Sequence, residues 1–261
     1  MKRYYVVGDN TSNSLSPLIF NYWFKKYKIN AKYSFVEIKP PNFDKKIKEL
    51  FQNKQVGGLN ITNPYKKKII KHLDDLDKQA TEINAVNCVL FGKIKRGTNT
   101  DWLGYQESLS KNNINKKSSI IILGYGGAAQ AIYYSFILRG YKNINVFNRT
   151  KKLIETKGGQ VFTQKYKDCD KYFKNCNLII NTTPLNPLSE NQCNMVNKKT
   201  IISDIVYRPQ NTVFLENFHT NKKVYGISML INQAIYCFEY WFGFRPKVDT
   251  ALKKNLLEII K

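Results

Sequence analysis

Apolar residues along this chain fall into short uninterrupted runs, separated by stretches with helical spacing. Tyr4-Tyr5-Val6-Val7-Gly8 reads as a buried strand ending in a turn. Ser16-Pro17 reads as a helix start, with Ser16 as N-cap and Pro17 at the first helical position, and Leu18, Trp23 and Phe24 form its apolar side. Tyr33 to Ile38 predicts a second strand, closed by Pro40-Pro41. Phe43 to Gln52 predicts a helix, and Gly57 to Thr62 a third strand that opens into a turn at Pro64. A second series starts after Lys116-Lys117. Strands are expected at Ile120–Leu123, Asn143–Phe147, Asn177–Asn181 and Thr200–Ile205, with a glycine turn and a helix running to Leu138 after the first of them. Beyond about residue 235 the pattern is helical again, with Phe238, Trp241 and Phe242 on one stretch and Leu252, Leu256 and Ile259 on another. Strand and helix alternating in this way predict an α/β protein with mostly parallel sheets. The boundary between the two series is expected between Asp101 and Asn113.

Length and composition narrow the class. At 261 residues the chain has room for one or two domains, and a 43% hydrophobic fraction suits a folded globular protein. The 42 Lys and Arg against 19 Asp and Glu give a net charge of +23, which invites a nucleic-acid or anionic-membrane reading. Against it, the basic residues form no single block and no nucleic-acid motif accompanies them, so a solvated surface rich in scattered lysines explains them. Such a field would still draw in a phosphorylated cofactor and an anionic substrate. Cys88, Cys169, Cys176, Cys193 and Cys237 are odd in number and lack CxxC spacing, which argues against a disulfide framework or a zinc site and for thiols in a cytoplasm. The uncharged stretch from Ile120 to Leu138 is about long enough to span a bilayer. Gly124, Gly126 and Gly127 interrupt it and Gln130 and Ser135 follow, so a strand, a turn and a helix fit better.

The segment Leu123-Gly124-Tyr125-Gly126-Gly127-Ala128-Ala129 carries G-x-G-x-x-A between a strand and a helix. Glycines there let the backbone approach a pyrophosphate, and the helix start offers N–H groups and a positive dipole end. The plain alternative is a glycine-rich helix cap. An acidic residue about 20 positions past the loop grips the ribose of NAD. This chain has Asn148-Arg149-Thr150-Lys151 there, and the two cations would attract a 2′-phosphate that an acid would repel. Those residues point to NADP(H); the competing reading makes Arg149 one surface cation among many.

Three polar segments stand at strand ends or helix starts: Ser14-Leu15-Ser16-Pro17, Asn60-Ile61-Thr62-Asn63-Pro64-Tyr65-Lys66 and Asn99-Thr100-Asp101. Parallel sheets present ligands at such places. Hydroxyls suit a carboxylate, and a Lys with an Asp suits proton transfer at an oxygen. Singly, each reads as well as a cap or a turn. Taken in order, together with Asn21, Ala85-Val86-Asn87, Gly97 to Gly104, Asn181-Thr182-Thr183-Pro184, Asp204 to Pro209, Gly226-Ile227-Ser228-Met229-Leu230 and Gln233-Ala234, they resemble the shikimate dehydrogenase family over nearly the whole chain.

That resemblance implies reversible, NADPH-dependent reduction of 3-dehydroshikimate to shikimate, without a metal. It implies a substrate-binding domain over 1–103, a Rossmann-type NADP-binding domain over 104–235, and C-terminal helices over 236–261 packing back on the first. Lys66 is implied as general acid, with Asp101 as its partner. Ser14 and Ser16 are implied as ligands of the ring carboxylate with Tyr207 nearby, and Thr62, Asn87 and Gln233 as ligands of ring hydroxyls. Gly124, Gly126, Gly127, Ala128, Asn148, Arg149, Thr150, Lys151, Thr182, Gly226 and Met229 are implied for the cofactor. The cleft would lie between the domains. The implied partner is a small molecule, for a monomer or homodimer in the cytoplasm, with no nucleic acid and no membrane. Phe20 stands where the family often has His, Asn84 where Gly is usual, Cys88 where Thr is usual, and Leu185-Asn186-Pro187 lacks a common glycine. Two rivals stay open: a relative that oxidises quinate or shikimate with NAD, and a basic nucleic-acid-binding protein on a dinucleotide fold.

Overall fold

A computed structural model of the chain describes residues 1–156 and 159–260. Two compact units emerge: Met1–Thr100 with Gln233–Ile259, and Asp101–Asn232 with Ile260–Lys261.

The first unit is built on a six-stranded sheet: β1 (Lys2–Gly8), β2 (Ala31–Glu37), β3 (Val56–Ile61), β4 (Asp75–Leu76), β5 (Cys88–Phe91) and β6 (Lys95–Thr98), in the order β2-β1-β3-β5-β6-β4. The expected βαβ core is present, with β1 parallel to both neighbours across α1 (Ser16–Lys26) and α2 (Phe43–Gln52). A short α3 (Lys78–Ile83) precedes β5, which runs antiparallel to β3 and β6. The pattern did not announce these last strands. Cys88–Phe91 is a short apolar run that periodicity cannot assign, and Lys-Arg-Gly-Thr carries no strand signal, so pairing decides both. One side of the sheet buries Val7, Phe43, Ile47, Leu59 and Tyr65. Tyr4, Phe20, Phe24, Phe238, Trp241 and Phe242 pack as an aromatic cluster with ring centroids 4.6–6.5 Å apart. Truncating one such buried ring costs about 3–5 kcal/mol, so this cluster holds the C-terminal segment on the N-terminal sheet.

The second unit opens with α4 (Asp101–Ser108) and carries a seven-stranded sheet: β7 (Ile120–Leu123), β8 (Ile144–Asn148), β9 (Lys152–Thr156), β10 (Gly159–Lys165), β11 (Leu178–Asn181), β12 (Ile201–Asp204) and β13 (Lys223–Val224). Their order is β13-β12-β11-β7-β8-β10-β9, and every pairing except that of β9 with β10 is parallel. Leaving out β9, this is the doubly wound order, and it reverses between β7 and β11, where such sheets take ligands. α5 (Gly127–Leu138), α6 (Asp170–Phe173), α7 (Glu190–Met195) and α8 (Val213–Glu216) flank it. Ile120 and Ile122 of β7 join one apolar cluster while Ile121 and Leu123 join another. Alternate side chains of a strand point to opposite faces, so a strand buried on both faces is apolar throughout. The β9–β10 hairpin was not expected, because Leu153 and Phe162 are exposed and leave little core signal.

α9 (Gly226–Phe242) starts before the expected residue 235, and Gln233 marks the passage from the second unit to the first. α10 (Thr250–Ile260) buries Leu252, Leu256 and Ile260. The expected Ile259 is 38% exposed; helical spacing turns Ile260 inward in its place. Among the described residues no helix is long and apolar enough to cross a membrane.

Candidate functional site

Within the first unit the polar segments are drawn together by backbone hydrogen bonds. One oxygen of Glu37, at the end of β2, accepts the N–H groups of Thr11 and Ser12, each at 2.8 Å. Those two donors hold the Glu37 carboxyl below its ordinary range. The loop then closes through the Ser14 N–H on Thr11 O at 3.0 Å. Ser14 Oγ accepts the Ser16 N–H at 3.3 Å. This corrects the capping expectation: Leu15 occupies the N-cap, Ser16 is already helical, and the hydroxyl that serves the helix start is that of Ser14. Ser16 is buried and Ser14 partly so.

Thr62 follows β3, and its N–H reaches Val7 O at 2.9 Å. The turn after it is anchored by Tyr65, which is fully buried, stacked on Phe43 with centroids 4.1 Å apart, and hydrogen-bonded through its hydroxyl to Ile38 O. Lys66 comes next and is partly buried, whereas Lys67 and Lys68 are exposed. The Val86 N–H donates to Lys66 O at 2.8 Å, which seats this turn against the segment carrying Asn87.

Asn87 lies in a buried amide cluster. Its Nδ2 donates to Thr100 Oγ1 at 2.9 Å and to Gln233 Oε1 at 3.3 Å, and its Oδ1 accepts the Thr100 N–H at 2.7 Å. Asn60 donates to Asn87 O at 3.0 Å and to Cys237 Sγ at 3.0 Å, and accepts from Tyr33 Oη at 2.7 Å. The structure thus brings Asn87 and Gln233 together as a pair. Asn60 and Thr100 stood in the polar segments without a role of their own, and Tyr33 and Cys237 were not read as site residues. The available signal was spacing: Cys237 is four residues after Gln233, one helical turn along the same side of α9.

In the second unit Gly124 takes φ +96° at the end of β7, where a Cβ would meet Thr182 Oγ1 at 2.5 Å. Thr182 Oγ1 donates to Leu123 O at 2.7 Å, so Thr182 sits beside the glycine loop. Gly126 is the N-cap of α5, and apart from its own chain neighbours nothing lies within 4 Å of where its Cβ would be. The first N–H groups of α5, from Gly127 and Ala128 on, have no partner inside the helix. At the end of β8 Asn148 Oδ1 accepts the Arg149 N–H at 2.9 Å. Arg149, Thr150 and Lys151 are exposed, and Lys151 Nζ is 3.7 Å from Asp168. Asp101 is buried at the start of α4.

Asp204 ends β12, where it accepts the Val206 N–H at 2.9 Å and the Thr212 hydroxyl at 2.6 Å; burial raises its pKa. These bonds hold the segment that carries the partly buried Tyr207. Gly226 begins α9 so close to that segment that a Cβ would lie 2.4 Å from Ile205 O. Met229 is 7% exposed and belongs to the apolar cluster of Ile180, Ile201 and Val224, so most of its surface serves the core. Among the described residues all five cysteines are buried and none is in a disulfide, and no His, Cys, Asp or Glu cluster suits a metal.

A family model described as shikimate dehydrogenase substrate binding domain matches residues 6–89. A shikimate dehydrogenase (NADP(+)) of Nitrosopumilus maritimus is 34% identical over 98% of both chains. One from Brucella abortus is 33% identical over 98% of this chain and 94% of its own. A solved shikimate dehydrogenase from Aquifex aeolicus superposes with a TM-score of 0.87 at 29% identity, over 98% of this chain and 97% of that one. A shikimate 5-dehydrogenase from Thermus thermophilus, solved with NADP(H) and shikimate, gives 0.83 at 25% identity over 99% of each.

Proposed function

The chain belongs to the shikimate dehydrogenase family, and on that premise we propose how its own residues carry the reaction. It is an NADP-dependent oxidoreductase that reduces 3-dehydroshikimate to shikimate, reversibly, on the route to chorismate and the aromatic amino acids. The residues fit the cofactor. The open space at Gly126 is room that a Cβ would fill and a pyrophosphate can occupy, the α5 start supplies N–H donors, and Arg149 and Lys151 supply cations for a 2′-phosphate. We assign Gly124, Gly126, Gly127, Ala128, Asn148, Arg149, Thr150, Lys151, Thr182, Gly226 and Met229 to this cofactor half, within 104–235, and the substrate to 1–103 with the returning 236–261.

NADPH, when bound, supplies the hydride that arrives at C3 of the substrate. Lys66 Nζ gives a proton to the C3 oxygen as negative charge grows there, and takes it back in the reverse direction. Help of this kind is worth about 10²- to 10⁴-fold in rate. Asp101 accepts from the substrate hydroxyls and orients Lys66. Ser14 and Ser16 donate hydroxyls to the ring carboxylate, with Tyr207 assisting, and Thr62, Asn87 and Gln233 hold ring hydroxyls. Supporting the choice of Lys66 over Lys67 and Lys68 is the hydrogen bond from the Val86 N–H to Lys66 O, which sets this lysine's backbone next to the segment of the Asn87 cluster. The five buried thiols support a cytoplasmic setting. The enzyme acts as a monomer or homodimer on a small molecule, with no nucleic-acid partner.

The test is NADP⁺ reduction by the purified protein, followed by the absorbance of the reduced nicotinamide, with shikimate, quinate or neither present. Shikimate-dependent reduction is expected. Equal rates with quinate would move the assignment to the broader relative, and no rate with either substrate would overturn it.

A further inference from the structure

A primary amide can turn either end toward a ligand, and the choice decides whether the subsite offers a donor or an acceptor. In the Asn87 cluster the backbone makes that choice. The Thr100 N–H can only donate, and it donates to Asn87 Oδ1 at 2.7 Å. Asn87 Nδ2 is therefore the donor end, and it faces Gln233 Oε1 at 3.3 Å and Thr100 Oγ1 at 2.9 Å. Gln233 thus turns its carbonyl toward Asn87, with its NH2 group at the opposite end of the amide.

A second backbone group orients the support. Asn87 O can only accept, and it accepts from Asn60 Nδ2 at 3.0 Å. Asn60 Oδ1 is then the end that meets the Tyr33 hydroxyl at 2.7 Å, and the other Asn60 Nδ2 hydrogen goes to Cys237 Sγ at 3.0 Å. The Cys237 thiol also lies 3.1 Å from Thr100 Oγ1, where either group can donate, and 3.8 Å from Gln233 Oε1, an oxygen to which it can donate. Tyr33, Asn60, Asn87, Thr100 and Gln233 are all buried, and Cys237 completely so. Rotating the Gln233 amide by half a turn would set its NH2 against the Asn87 NH2. Folded proteins avoid a buried mismatch of donors against a donor.

We propose that Tyr33, Asn60, Thr100 and Cys237 are positioning residues that lock the polarity of the Asn87–Gln233 pair. Gln233 then meets its ligand as a donor, and the subsite selects a ring oxygen that can accept. This rests on the assignment of the first unit as the substrate side. A ligand with an ammonium group in place of that hydroxyl has only donors and is rejected.

The experiment compares shikimate with the two analogues in which the C4 or the C5 hydroxyl is replaced by an amine, as substrates or inhibitors of wild type and of Gln233→Glu. The glutamate keeps an inward oxygen for Asn87 and replaces the outward donor by an acceptor. Wild type is expected to disfavour one of the amines relative to shikimate by at least about tenfold, and Gln233→Glu to reverse that order. Gln233→Glu weakening shikimate and both amines by one common factor would overturn the polarity lock. Thr100→Val, which keeps the backbone donor and removes Oγ1, should raise the shikimate KM about tenfold with kcat and the NADP⁺ KM nearly unchanged, and Thr100→Ser should restore it. A shikimate KM unmoved by Thr100→Val would also overturn the proposal, and this arm carries the test should Gln233→Glu fail to fold. Wild-type protein with no shikimate-dependent activity would overturn the substrate assignment and this proposal together; normal wild-type activity beside insensitive variants would overturn this proposal alone.

Discussion

At the scale of single residues, two side chains carry the sharpest expectations. Lys66→Ala removes the proton donor proposed for the C3 oxygen and should lower kcat at least about a hundredfold, while NADPH affinity by fluorescence titration stays at its wild-type value. Near-normal turnover would rule Lys66 out as the acid. Arg149→Ala should weaken NADPH far more than NADH, since only the former carries the 2′-phosphate that a guanidinium can grip bidentately; equal losses would reduce Arg149 to a surface cation. The residue types of both halves were readable in order along the chain, because hydroxyls, amides and a lysine next to glycines and prolines have few structural uses in combination. Less readable was which hydroxyl does what. Ser16 looks like a cap, yet Ser14 Oγ takes the Ser16 N–H, because the Glu37 carboxylate pulls the loop into a shape that brings Ser14 there.

At the scale of elements, packing distances set the limits. A methyl group at Gly226 would lie 2.4 Å from Ile205 O and 2.6 Å from Val206 O. Gly226→Ala should therefore cost about 1–3 kcal/mol in urea denaturation and disturb the segment that carries Tyr207. α10 is tied to α1 through Asp249, which accepts from Lys26 Nζ at 2.5 Å, Tyr22 Oη at 2.7 Å and the Leu252 N–H at 3.0 Å. Lys26 first, then the Leu252 N–H and Tyr22, holds the Asp249 carboxyl far below its usual range. A depressed folded value means a contribution that is present above the unfolded value, about 3.9, and is lost as pH falls through the folded one. Melting temperatures taken from neutral pH downward should thus decline less steeply below about pH 4 in Asp249→Asn than in wild type. Parallel acid limbs would show that the ties are without effect on stability.

At the scale of the whole molecule, the +23 charge should act on anionic ligands at a distance. Raising salt from about 0.1 to 1 M shortens the screening length from about 10 to 3 Å. The NADPH KM is expected to climb several-fold over that range, and less steeply in Arg149→Ala. A KM independent of salt would make the charge irrelevant to the cofactor. The βαβ core and the glycine loop were legible from the chain, since each rests on local chemistry: short apolar runs, a turn that only glycine permits, caps and prolines. The antiparallel β5 and β6, the β9–β10 hairpin and the choice of Ile260 over Ile259 were not, because partners distant in sequence decide them. The family follows from an ordered set of motifs and needed no coordinates. The amide polarity at Gln233 is of the other kind. It depends on Thr100, Asn87, Asn60 and Cys237, which are separated by up to 177 positions along the chain, and hydrogen-bond direction is defined only once folding has brought a donor and an acceptor face to face.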